Sequence, residues 1–202
     1  MLLDPALVHW LATGDPSGRA FPDLPTPHAR LTAYQELVHQ RTTALLGPTG
    51  RLQFPWPRRL GTPPWGVCRE LESVVDLRSE VIGPPGAVGS GTRYRSVLVR
   101  HLGPQRFIGL LEQLAAHLGE SRPGVLYVGN AWLPRHVTLL VPGSQRRGTL
   151  LVYDPGQGRV DRLDTAGLAH DRGRVGGWTH PWFLIGPVGH VESELGRQRD
   201  RM

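Results

Sequence analysis

The sequence contains no lysine: all 23 residues of the Lys and Arg class are arginine. That absence excludes a phosphate loop ending in Gly-Lys-Ser/Thr, a Schiff-base lysine and a kinase-type strand lysine. Cysteine occurs once, as Cys68, which excludes an internal disulfide and any CxxC zinc or redox site and leaves the fold to packing alone. No run approaches the roughly 18 apolar residues that a membrane-spanning helix needs, and the first residues show no basic region followed by an apolar core and cleavage site. The expectation is a chain with no membrane span and no signal peptide, cytoplasmic or exported by a specialised secretion system.

Asparagine appears once, at Asn130, and isoleucine three times, beside 26 glycines and 19 prolines. Scarce Lys, Asn and Ile with abundant Gly, Pro and Arg is the composition a GC-rich coding sequence gives. The formal charge of +6 is therefore read as codon bias before it is read as a nucleic-acid patch. The arginines are also scattered, with Arg58-Arg59 and Arg146-Arg147 the only adjacent pairs, whereas a nucleic-acid site gathers cations on one face among aromatics.

With 202 residues, 39% of them hydrophobic and 20% charged, the chain has the size and composition of one globular domain rather than a disordered, collagenous or coiled-coil polypeptide. Residues 1–27 read as an amphipathic and Gly/Pro-rich arm, 28–188 as the folded domain and 189–202 as a charged tail. Helical spacing runs through 28–46, through a segment carrying Cys68, Leu71 and Val74, and from Pro104 to Leu118, where Phe107, Ile108, Leu111, Leu114, Ala115 and Leu118 form a stripe. A strand is expected over 93–100. After Gly119 the texture changes to short β-type runs over 125–128, 136–141, 149–154, 158–163 and 182–185. Helices first and strands afterwards predict an α+β fold with an antiparallel sheet.

The runs His136–Val141 and Thr149–Asp154 read as a hairpin. The simplest register sets Val141 opposite Thr149 and therefore His136 opposite Asp154, with Cβ atoms about 4.5–5.5 Å apart. A carboxylate so placed accepts a hydrogen bond from the imidazole and fixes its tautomer. Cys68 follows Pro63-Pro64-Trp65-Gly66-Val67 at the expected first turn of a helix, where free N–H groups and the helix dipole favour a thiolate. A thiolate with an oriented imidazole is the requirement for covalent acyl transfer.

Gly66-Val67-Cys68 opening a helix, His136 opening a strand and Tyr153-Asp154-Pro155-Gly156-Gln157-Gly158 after the next strand resemble the papain-like cysteine peptidase superfamily. The nearest likeness is to its bacterial effector and toxin proteases of the YopT and AvrPphB type, and to related deamidase and transglutaminase-like groups. The resemblance spans about residues 60–165. It implies N-terminal helices, with the Cys-bearing one central, packed on a C-terminal antiparallel sheet. It also implies a Cys68–His136–Asp154 triad attacking amide bonds of a protein substrate, giving proteolysis, glutamine deamidation or acyl transfer without cofactor or metal. No glutamine stands a few residues before the cysteine, so Gln53 and Asn130 become the candidate side-chain oxyanion donors. Trp65 is the candidate pocket-shaping residue, and the N–H of Cys68 a backbone donor. The alternative expectation is a catalytically inert papain-fold module that binds a partner protein. The glycines at 83–91 read as a loop rather than a phosphate cradle, and His190, Glu192 and Glu194 as solvated tail rather than metal ligands.

Overall fold

The computed structural model describes residues 62–72, 92–119, 122–143 and 149–188. The expected arm, the helix over 28–46, the glycine loop, the tail and Gln53 lie outside the described residues. Within them, helix α1 covers residues 64–72. It is followed by β1 (Tyr94–Leu98), α2 (Pro104–His117), β2 (Gly124–Gly129), β3 (Pro134–Pro142), β4 (Leu150–Asp154), β5 (Arg159–Arg162), α3 (Thr165–Ala169) and β6 (His180–Pro187). The strands form one sheet in the order β1-β6-β2-β3-β4-β5, and every neighbouring pair is antiparallel. The fold class is α+β.

Helix α2 starts where Gly103 precedes Pro104, a residue pre-set for the first helical position and lacking an N–H that would go unused there. Its buried residues Phe107, Leu110, Leu111 and Leu114 follow the i, i+3, i+4, i+7 pattern that puts one stripe against a sheet. Helix α3 went unmarked in the sequence because its five residues are too few for a periodicity. Its signal is the cap, Asp164, whose Oδ1 accepts a 2.9 Å hydrogen bond from Gly167 N.

The sheet is covered on both faces. On one, α1 places Val67, Cys68 and Leu71 against Tyr94, Val125, Tyr127, Leu139, Val141 and Tyr153. On the other, α2 and α3 pack with Val99, Leu163 and Val175 over Leu126, Val128, Leu140, Val152 and Leu184. Strand β2 lies centrally and is buried throughout, which explains why it reads Gly-Val-Leu-Tyr-Val-Gly rather than alternating apolar and polar.

Two sequence expectations need correcting. The β3–β4 register pairs Leu139 with Tyr153 and Pro142 with Leu150, two residues from the pairing that put His136 directly opposite Asp154, a shift that keeps both side chains on one face. A connection of this length is compatible with more than one register, so its sequence does not fix the pairing. Second, Cys68 is the fifth residue of α1, not part of its first turn. The N–H of the residue before it, Val67, is already bonded to Pro63 O at 3.1 Å, so the unpaired donors of a helix start lie upstream of the thiol.

Candidate active site

Strand alternation sorts the expected site residues. From His136 onward β3 alternates without interruption, so His136 shares the face of Leu140, and Asp154 shares that of Val152, both on the α2/α3 side. There His136 Nε2 donates to Asp154 Oδ1 at 2.7 Å. The contact is diagonal rather than directly opposed, and the imidazole lies beside Gly156, whose Cβ, if it had one, would stand 3.3 Å from His136 Cε1.

Asp154 also builds the turn that follows it. Its Oδ1 accepts from Gly156 N at 2.8 Å and Gln157 N at 3.3 Å, and its carbonyl accepts from Gly158 N at 2.8 Å. The residue is only 3% exposed, and Oδ2 is buried without a hydrogen-bond partner. Since a carboxylate only accepts, the ring proton it receives sits on Nε2, and in the neutral imidazole Nδ1 then carries the lone pair. No described group bonds Nδ1, and the His136 side chain remains 20% exposed. The pair is therefore an imidazole held by one nitrogen and available at the other.

Gly176, which sequence reasoning passed over, covers the pair. It has φ +57, and a Cβ there would fall 2.5 Å from His136 Cδ2 and 2.9 Å from Asp154 Oδ2. Only glycine both adopts this backbone freely and leaves the ring its place. Beside the pair lies a groove of about 250 Å³ lined by Asp154, Gln157, Arg159, Arg174, Gly176 and Gly177 among others. Its cations are only partly engaged: Arg159 Nε lies 2.7 Å from Asp161 Oδ2, and Arg174 donates to Gly177 O at 3.2 Å.

Cys68 is not brought to this pair. Its neighbours are Tyr94, Tyr127, Leu139 and the rest of the α1-side cluster, on the opposite face of the sheet from His136 and Asp154. Burial, and then the Glu72 carboxylate, push its thiol from 9.0 up to about 12, against a smaller lowering by a backbone hydrogen bond. No imidazole contributes to that balance. The expected triad is thus corrected to a His136–Asp154 dyad, with Cys68 a core residue in this arrangement. Alkylation of Cys68 by iodoacetamide should accordingly be slow at neutral pH, rising only toward pH 12, far above the free-thiol range near 8.5. Fast labelling at pH 7 would show that the thiol leaves this cluster.

The two other described candidates serve the fold. Trp65 stands on α1 with Cys68, so it shapes no pocket at the dyad. Asn130 Oδ1 accepts from Trp132 N at 2.9 Å and Leu133 N at 2.8 Å, closing the β2–β3 turn, so this oxygen is not presented to a substrate. The described residues hold no group of three or more His, Cys, Asp or Glu that could bind a metal, and none of their helices is long and apolar enough to cross a membrane. Compared with protein-family models, curated proteins and solved structures, the chain matches none.

Proposed function

We propose that this domain is a hydrolase whose acid–base group is His136, oriented by Asp154, and that water serves as the nucleophile. The carrying observation is the 2.7 Å bond from Nε2 to a carboxylate that is almost wholly buried, with Nδ1 left free. Withdrawing a carboxylate from water is expensive unless its partners return the loss. One oxygen here is spent on the imidazole and turn while the other stays unbonded, so stability alone is a poor account of the arrangement.

The step runs as general base and then general acid catalysis. Nδ1 takes a proton from a water molecule as the oxygen attacks an amide carbonyl. The same proton then passes to the leaving nitrogen as the C–N bond breaks. Asp154 holds the ring and balances the imidazolium that forms. Arg159, Arg174 and Gln157 offer donors in the neighbouring groove to an acidic stretch of a protein substrate.

Turnover of casein and of peptide anilides by the full chain and by Cys68→Ser distinguishes the readings. The expected outcome is a rate in Cys68→Ser within about threefold of the unaltered protein. Loss of turnover on that substitution would restore the thiol-dependent, papain-like mechanism with Cys68 as nucleophile. No turnover by the unaltered protein across the panel would leave the partner-binding module.

A further inference from the structure

Three large apolar residues are exposed among the described ones: Trp132 at 82%, Leu98 at 46% and Leu133 at 41%. All three belong to one end of the sheet. The β2–β3 turn carries Trp132 and Leu133, and β6 begins beside it, with His180 opposite Gly129. Leu98, the last residue of β1, pairs with Phe183 of the same β6. Side chains connect these parts. The Arg100 guanidinium lies 5.9 Å from the centre of the Trp182 ring, and Trp182 Nε1 donates to Asn130 O at 2.9 Å, at the base of the exposed turn.

The turn is built to hold its tip outward. Asn130 Oδ1 accepts from the N–H groups of both Trp132 and Leu133, and Asn130 N donates to Leu133 O at 3.2 Å. A tryptophan held in water by a fixed backbone loses little conformational freedom on meeting an apolar or interfacial environment. Two arginines stand at this end, Arg100 just after β1 and the exposed Arg135 on β3, two residues past Leu133. The acids there face imidazoles: Asp154 Oδ1 lies 2.7 Å from His136 Nε2, and Asp171 lies 3.7 Å from His180 Nε2.

We infer that this end of the sheet, with Trp132 and Leu133 as its tip and Arg100 and Arg135 beside them, docks on an anionic membrane surface. Tryptophan, with an apolar ring and a polar N–H, is suited to the headgroup layer. Leucine adds apolar burial, and arginines are drawn to anionic lipid headgroups. No helix among the described residues is long and apolar enough to cross a bilayer, and attachment at the surface requires none. It is independent of the proposed hydrolysis.

The test is co-sedimentation of the full chain with vesicles of phosphatidylcholine, with and without phosphatidylserine, near physiological salt. Two variants are included: Trp132→Ala with Leu133→Ser, and Arg135→Glu. Because these side chains are exposed, the variants should keep the parent circular dichroism and melting temperature. The expected result is binding only to the phosphatidylserine vesicles, with the partition coefficient about tenfold lower in the double variant and severalfold lower in Arg135→Glu. Brominated lipid should quench tryptophan emission in the parent more than in the double variant. Three results would each overturn the inference: no binding to the anionic vesicles, binding unchanged in the double variant, or concentration-dependent self-association without lipid that the double variant abolishes.

Discussion

His136→Ala should lower kcat/KM by about 10²–10⁴, the range for removing a positioned general base or acid, while moving the melting temperature by no more than a few degrees. The small stability effect follows from the side chain's partial exposure and from its single described hydrogen bond, to Asp154 Oδ1. Two companion variants separate chemistry from positioning. Asp154→Asn retains a side-chain oxygen able to accept from Gly156 N and Gln157 N. The turn should therefore survive while the charge that balances the imidazolium is lost, with a smaller fall of about tenfold. Gly176→Ala leaves both members of the dyad in place chemically but brings a methyl group within 2.5 Å of the ring. It should lower kcat with little effect on KM if the ring must hold its position. Steady-state kinetics on whichever substrate of the casein and anilide panel is turned over, paired with thermal melts, provides the check. A His136→Ala protein of unchanged rate would reduce the dyad to a support for the turn at residues 154–158.

Leu140→Ala should be among the most destabilising single substitutions in the described residues. Leu140 is fully buried at the centre of the α2/α3-side cluster, on a strand flanked by β2 and β4. Neighbours held on two sides by ladder hydrogen bonds cannot collapse far into the space left by the isobutyl group. The upper part of the usual Leu→Ala range therefore applies, about 3–5 kcal/mol. For a chain of this length each kcal/mol lowers the melting temperature by roughly 2–4 °C, so a fall on the order of 10 °C is expected by calorimetry. Leu133→Ala, at an exposed tip, should change it by at most a degree or two. Equal losses at the two positions would contradict the packing described for the sheet.

The stretches after Gly119 disclosed their strands because most are short runs of β-branched, leucine or aromatic residues set off by Gly, Pro or Asp, β5 (Arg-Val-Asp-Arg) being the most polar of them. β2, β3, β4, β5 and β6 all fall where those runs stand. The stripe on α2 was legible for the same reason, a period set by one covered face. The dyad was half legible. Two runs joined by a polar loop implied a hairpin, and a hairpin brought His136 near Asp154, but the register depends on how that loop closes. The misplaced member was Cys68. Sequence order resembling a known triad says nothing about which face of a sheet a helix covers, and that choice rests on contacts between segments distant in the chain, such as Val67 and Cys68 with Tyr127 and Tyr153. Gly176 was invisible because a glycine between turn residues announces backbone freedom, not what the backbone lies over.

The strand order has a consequence for how the molecule is made. β2 through β5 form a meander of neighbours in both sequence and space, able to pair as each hairpin leaves the ribosome. β1, made before them, has as its sheet neighbour β6, the last strand of the described chain, which slides between β1 and β2. Until residues 180–187 emerge, β1 and one edge of β2 stand unpaired, and both invite association with other chains. Sheet closure thus waits for β6 and carries the loop-closure penalty of an 80-residue separation or more from β1, the condition under which folding slows and a nascent chain has most need of chaperones.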